Sequence, residues 1–214
     1  MILYDYILSP DCYSVRLFAA LTGRRLDLRA VDFHPGGEHR TAAFRAINPG
    51  GTIPVLIAGD LTLTEPAAIL THLAQGTPWA GQGPMVAEWL ARSARFSSSL
   101  GGARAIEMLC LPGDLAALQA EGAGWLRILE SALFEVRVTG GGFLTGPAPS
   151  IADIALFPHV ALAPDGGVSL DPYPSIRLWM RDIRALPGFI EMPGIHRLHD
   201  LKAEPGNDIG GAAA

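Results

Sequence analysis

Two regimes of hydrophobic patterning divide this chain of 214 residues. From Ile2 to Leu8 the residues are β-branched, aromatic and aliphatic, and Ser9-Pro10-Asp11 stops them, which predicts a buried strand ending in a turn. The segment from Tyr13 to Thr22 is nearly all apolar. Val15, Phe18, Ala19 and Thr22 share one face and Gly23 supplies a stop, so a helix is predicted there. A second strand follows from Leu26 to Val31, and a right-handed crossover makes the two strands parallel neighbours. Past the loop His34-Pro35-Gly36-Gly37, a short helix is predicted from Ala42 to Ala46. Val55 to Ile57 and Leu61 to Leu63 then flank Ala58-Gly59-Asp60 as a hairpin, and helical spacing resumes from Glu65 to Leu73. The predicted order is β-α-β-α-β-β-α.

The second regime shows no strand pattern. Trp125, Ile128, Leu129, Ala132, Leu133 and Val136 recur at helical spacing, as do Ile176, Trp179, Met180 and Ile183, and both sets predict core-facing helical stripes. Ser150-Ile151-Ala152-Asp153 predicts a capping box that opens a further helix, and Pro158 is expected to kink it. The Gly- and Pro-rich run from Gln75 to Pro84 reads as a linker. The expected organisation is an α/β unit over 1–76, a linker over 77–84, an all-helical unit over 85–202 and a small, Gly-rich, mobile tail over 203–214.

Composition narrows the function classes. A formal net charge of -5 gives no electrostatic reason to bind nucleic acid. The N-terminus lacks a basic segment followed by an apolar run, and no apolar stretch is long enough to span a bilayer, so a cytoplasmic protein without membrane association is expected. Cys12 and Cys110 are too far apart in sequence for a disulfide framework or clustered zinc site and are read as free thiols. His72, His159, His196 and His199 have no spacing with Asp, Glu or Cys that makes a metal site, and no metal is predicted.

Several short motifs carry a resemblance. Leu8-Ser9-Pro10-Asp11-Cys12-Tyr13-Ser14-Val15-Arg16-Leu17 is similar to the first strand-to-helix turn of serine- and cysteine-type cytosolic glutathione transferases. Asn48-Pro49 through Ile53-Pro54-Val55-Leu56, Thr64-Glu65-Pro66-Ala67-Ala68-Ile69 and Ser150 to Asp153 resemble their NPxGxxPVL, E-S-x-A-I and capping-box motifs. Ala163-Pro164-Asp165-Gly166-Gly167, Pro172-Tyr173-Pro174, Trp179 and Ala185 to Phe189 further resemble bacterial members. The resemblance implies a thioredoxin-like N-terminal domain followed by helices, glutathione as cosubstrate, a small hydrophobic electrophile and a homodimer.

It also implies site residues. A thiol with a pKa near 8.5 is mostly protonated at neutral pH, so the enzyme must stabilise the thiolate. Ser9 falls where serine-type families keep their activating serine, and a hydroxyl at a helix N-terminus suits that task; it could equally only cap the helix. Cys12 offers mixed-disulfide chemistry, although it lies one position past the cysteine of cysteine-type relatives, and a buried inert thiol is its alternative. The resemblance implies a cis Ile53-Pro54 bond, which exposes the Ile53 backbone to pair with the cysteinyl part of glutathione. Glu65 and the residue after it are expected to hold the γ-glutamyl group. That residue is Pro66, which supplies neither hydroxyl nor N–H, so the Ala67 N–H and the helix dipole are left to compensate. Thr52 is shorter than the polar or basic residue of many relatives, and His39 and Arg40 are candidates for the glycyl carboxylate, although a solvated loop charge is the commoner outcome. Arg92, Arg95 and Phe96 fall on the helix that in relatives borders the electrophile cleft, although an Arg-bearing helix face is more often solvated than catalytic. The expectation is therefore a glutathione transferase. The alternatives are a non-catalytic binding protein on this fold and a glutathione-dependent reductase or isomerase using Cys12.

Overall fold

Arg16, on the first helix, ties down the end of the first strand: its guanidinium pairs with the buried Asp5 carboxylate and donates to the Ile7 carbonyl at 2.9 Å. In the computed structural model, which describes residues 1–192, strand β1 (Ile2–Asp5) therefore ends three residues before the predicted Leu8. Tyr6 to Leu8 turn instead toward helix α1 (Pro10–Leu21). That helix starts earlier than the apolar pattern implies, because proline is favourable at a first helical position, where no N–H is needed. Strand β2 (Asp27–Ala30) lies parallel to β1, with Ile2 opposite Asp27. Helix α2 (Ala42–Ile47) leads to β3 (Val55–Ala58) and β4 (Leu61–Leu63), both antiparallel to their neighbours, and α3 (Pro66–Ala74) closes the unit. The sheet order β2-β1-β3-β4 is that of a thioredoxin-like fold.

Residues 75–83 carry a 3-10 turn at Pro78–Ala80, and Pro84, placed in the expected linker, is the first residue of α4 (Pro84–Phe96). A π-helical turn at Ser97–Gly101 connects α4 directly to α5 (Gly102–Leu109). Helices α6 (Leu115–Val138), α7 (Ile151–Ala161) and α8 (Pro174–Arg184) complete the helical part. On α6 the core positions are Leu126, Leu129 and Leu133; Ile128, assigned to the same stripe by spacing, is 44% exposed, about 100° away from Leu129.

Helix α7 is buried along its whole length. Its capping box forms between Ser150 and Asp153, and Asp153 also accepts from the Leu144 N–H and the Trp179 indole, both at 2.8 Å. One hydrophobic cluster runs from Leu3, Leu17 and Leu70 on the sheet side through Trp89 to Ile154, Phe157 and Trp179. Among the described residues no helix is long and apolar enough to cross a membrane. His196, His199 and the 203–214 tail lie outside the described residues.

Candidate active site

The turn clamped by Arg16 delivers Ser9 to the N-cap of α1, where its hydroxyl oxygen accepts the Cys12 N–H at 3.2 Å. A serine hydroxyl has two acceptor lone pairs and one proton, so capping leaves its donor capacity intact. Ser9 lines a depression of about 430 Å³ together with Tyr6, Leu8, Phe33, Ala105 and Met108, a largely apolar wall shared by the sheet side and α5. A second depression of about 580 Å³ lies between Glu65, Pro66, Ala67 and Ala68 on one side and Leu90, Ser93 and Ser98 on the other. Asp11, Thr52, Ile53 and Ser97 line both, which makes the two depressions halves of one cleft.

The wall they share is braced by side-chain hydrogen bonds. Asn48 Nδ2 donates to the Thr52 carbonyl at 2.8 Å and to its hydroxyl at 2.9 Å, while Asn48 Oδ1 accepts the Gly50 N–H at 3.0 Å. Gly51 has φ +62°, and a Cβ there would stand 2.9 Å from the His39 carbonyl, so glycine is required on both counts. The Ile53–Pro54 bond is cis. Among the described residues, no backbone group bonds to the Ile53 N–H or C=O.

His39 is buried against Phe33, ring centroids 4.0 Å apart, and accepts the Arg40 Nε–H at 3.2 Å. Burial first, then the charges of Arg40 and Arg45, hold its pKa below the ordinary value. Glu65 is the N-cap residue of α3, yet its side chain makes no capping bond. Its carboxylate and the N–H groups of Ala67 and Ala68 are therefore not consumed by the helix end.

Cys12 has the surroundings of the second of its two readings, the buried thiol. It is fully buried and does not line the cleft, and burial pushes its thiol up to about 12. Burial and protonation both disfavour attack by this sulfur, which matches the alternative reading of Cys12 as a buried thiol. Arg92 takes the solvated alternative, pairing with Glu88 at 2.7 Å over the Trp89 ring, while Phe96 is in the core and not beside the cleft. The cleft face of α4 is instead Leu90, Ala91, Ser93 and Ala94, and Arg95 is not part of it.

Sequence reasoning missed Asp11, Ser97 and His159. Asp11, in the first turn of α1, bonds His159 Nε2 on α7 at 3.0 Å and accepts from the Ser97 hydroxyl at 3.3 Å. Burial by itself would raise the Asp11 carboxyl. The positive charge that His159 can carry, its hydrogen bond and that of Ser97 outweigh this and hold the carboxyl below its ordinary value. Arg104 on α5 pairs with Asp165 at 3.2 Å and donates to the Leu8 carbonyl at 3.4 Å, closing the cleft from the other end. Among the described residues no group of three His, Cys, Asp or Glu could hold a metal ion.

This cleft lies between a thioredoxin-like sheet unit and a helical one, as in known enzymes. Residues 1–75 match the glutathione S-transferase N-terminal domain family. The chain is 30% identical to maleylacetoacetate isomerase of Pseudomonas aeruginosa over 83% of this chain and 88% of that protein. It is 29% identical to human glutathione S-transferase theta-1 over 87% and 83% of the respective lengths. A crystal structure of a glutathione S-transferase from Pseudomonas fluorescens superposes with a TM-score of 0.81 at 32% identity, covering 90% of this chain and 98% of that one. The chain belongs to the glutathione S-transferase superfamily.

Proposed function

We propose that the protein binds glutathione in this cleft, ionises its thiol beside Ser9 and conjugates it to a small hydrophobic electrophile. The observation that carries the reading is Ser9: its oxygen caps α1 through a lone pair, so its proton remains available to a sulfur anion at the positive end of the helix. The γ-glutamyl carboxylate takes the N–H groups of Ala67 and Ala68 at the start of α3, and Glu65 takes the ammonium. Pro66 contributes nothing to either group. The cysteinyl part pairs with the Ile53 backbone beside Thr52 and Pro54, and the glycyl carboxylate lies toward His39. The apolar half of the cleft, with Tyr6, Leu8, Phe33 and Met108, takes the electrophile. A homodimer, the usual assembly of the superfamily, is part of this proposal.

A second reading, glutathione-dependent isomerisation, is favoured by the likeness to maleylacetoacetate isomerase. It requires the same thiolate, which adds to a double bond, permits rotation and leaves, so it does not need Cys12. Incubating the protein with glutathione and either halogenated nitroaromatics or cis-unsaturated diketo acids separates the two. Thioether product supports conjugation, and cis-to-trans conversion without glutathione consumption supports isomerisation. Absence of both, with glutathione bound, would leave a binding protein.

A further inference from the structure

Among the described residues, Arg104 on α5 is the one Lys or Arg side chain that lines either half of the cleft. Its wall is otherwise apolar, with Leu8, Ala105, Met108 and Leu109 beside it. A guanidinium placed there gives up hydration that only a partner restores. The protein supplies part of that partnership: Nε donates to Asp165 at 3.2 Å and Nη1 donates to the Leu8 carbonyl at 3.4 Å. These bonds use two of the five N–H groups of an arginine, and among the described residues the side chain makes no third.

The two sides of this guanidinium differ. The bond to Asp165 is partly buried, and Asp165 lines neither depression, whereas the bond to Leu8 is open to solvent and Leu8 is part of the cleft wall. Nη2 has no bonding partner and is not sealed from solvent, so the uncommitted donors are on the accessible side. The backbone behind them is fixed. Helix α5 packs so closely on the 3-10 turn Ala163–Gly166 that a Cβ on Gly166 would stand 2.8 Å from the Arg104 nitrogen, and Gln119 Nε2 donates to the Gly166 carbonyl at 2.9 Å. Arg104 therefore reaches from α5 to the turn before α1, and its accessible end lies one residue from Ser9.

We propose that Arg104 is a specificity residue that receives an anionic group of the electrophile, so that the preferred second substrates are small electrophiles carrying a carboxylate within a few bonds of the reacting carbon. The proposal rests on the glutathione reading above and adds a charge requirement that an apolar wall does not impose. The N–H groups on Nη1 and Nη2 meet carboxylate oxygens with charge-assisted hydrogen bonds, which are stronger where apolar side chains thin the water. A neutral amide of the same size gains no such bond. Orientation follows from the opposite charge: Asp11, engaged by His159 and Ser97, also lines this half and repels an anion from the α1 floor, which leaves the Arg104 end for the carboxylate. The short step from Leu8 to Ser9 then sets the reacting carbon beside the sulfur.

The test uses matched thioethers, which need no turnover. Binding of glutathione, of its S-carboxymethyl and S-carboxyethyl thioethers and of the two corresponding amides is measured by calorimetry on the full chain. The wild type should bind at least one acid about tenfold or more tightly than its amide. Arg104→Gln should abolish that preference by weakening the acid while leaving the amide in place, and Arg104→Lys, which keeps the charge without the planar fork, should retain part of it. The ratio of acid to amide is read within each variant, so a general loss of folded protein does not imitate the effect. Glutathione binding with equal affinity for acids and amides in the wild type overturns the proposal and leaves the glutathione reading intact. A preference that persists in Arg104→Gln also overturns it. Binding of neither glutathione nor any thioether removes both readings.

Discussion

Replacing Ser9 by Ala removes two interactions that are separable by measurement. The first is the cap: the hydroxyl accepts the Cys12 N–H at 3.2 Å, and loss of such a cap costs about 1 kcal/mol. In a chain of this size that lowers the melting temperature by about 2–4 °C. The second is the hydrogen bond to the thiolate, which is charge-assisted and worth about 1.5–3 kcal/mol, or about ten- to 150-fold in turnover. Ser9→Asp distinguishes them, because a carboxylate caps as well as serine but repels an anionic sulfur. The melting temperature should recover in Ser9→Asp while turnover falls at least as far as in Ser9→Ala. Differential scanning calorimetry and steady-state kinetics at saturating glutathione supply the two readouts. Turnover that follows the melting temperature, lost in Ala and regained in Asp, would refute the reasoning by showing that Ser9 only caps.

Pro66→Ser returns a hydroxyl and an N–H to the start of α3 and should tighten glutathione binding about tenfold by calorimetry, since a hydrogen bond to a charged group is worth about 1.5–3 kcal/mol; unchanged affinity would mean that the γ-glutamyl group does not sit there. Alkylation should modify exposed Cys110 quickly and buried Cys12 only after unfolding, and rapid labelling of Cys12 in the native protein would reopen its redox role. Asp153→Ala strands the Leu144 N–H, the Ser150 N–H and the Trp179 indole N–H in the core, at about 1–3 kcal/mol each. Urea unfolding should show a loss of at least about 3 kcal/mol, and a loss below about 1 kcal/mol would contradict the assigned network.

Local signals made much of this fold legible. Strand β4 and the α7 capping box each depend on residues within a few positions of one another, and both fall where the pattern puts them. Boundaries shifted where a tertiary contact decided them: Arg16 ends β1 early through Asp5 and Ile7, which no window around residue 5 reveals. The sheet-side half of the site was readable because Ser9, Ile53 and Glu65 sit in contiguous motifs. His159 was not, since its partner Asp11 lies on another helix, 148 positions earlier. Phe96 was misplaced for the complementary reason: helical spacing identifies faces, but the turn on which a face meets the cleft depends on how α4 is docked.

The account depends above all on sulfur ionising beside Ser9. The most direct measurement is the pH titration of the ultraviolet thiolate absorbance of glutathione bound to the wild type and to Ser9→Ala. The wild-type midpoint should lie below the free-thiol value of about 8.5, and Ser9→Ala should move it back upward by about one to two pH units. A wild-type midpoint equal to that of free glutathione, or one that Ser9→Ala leaves in place, would contradict the account.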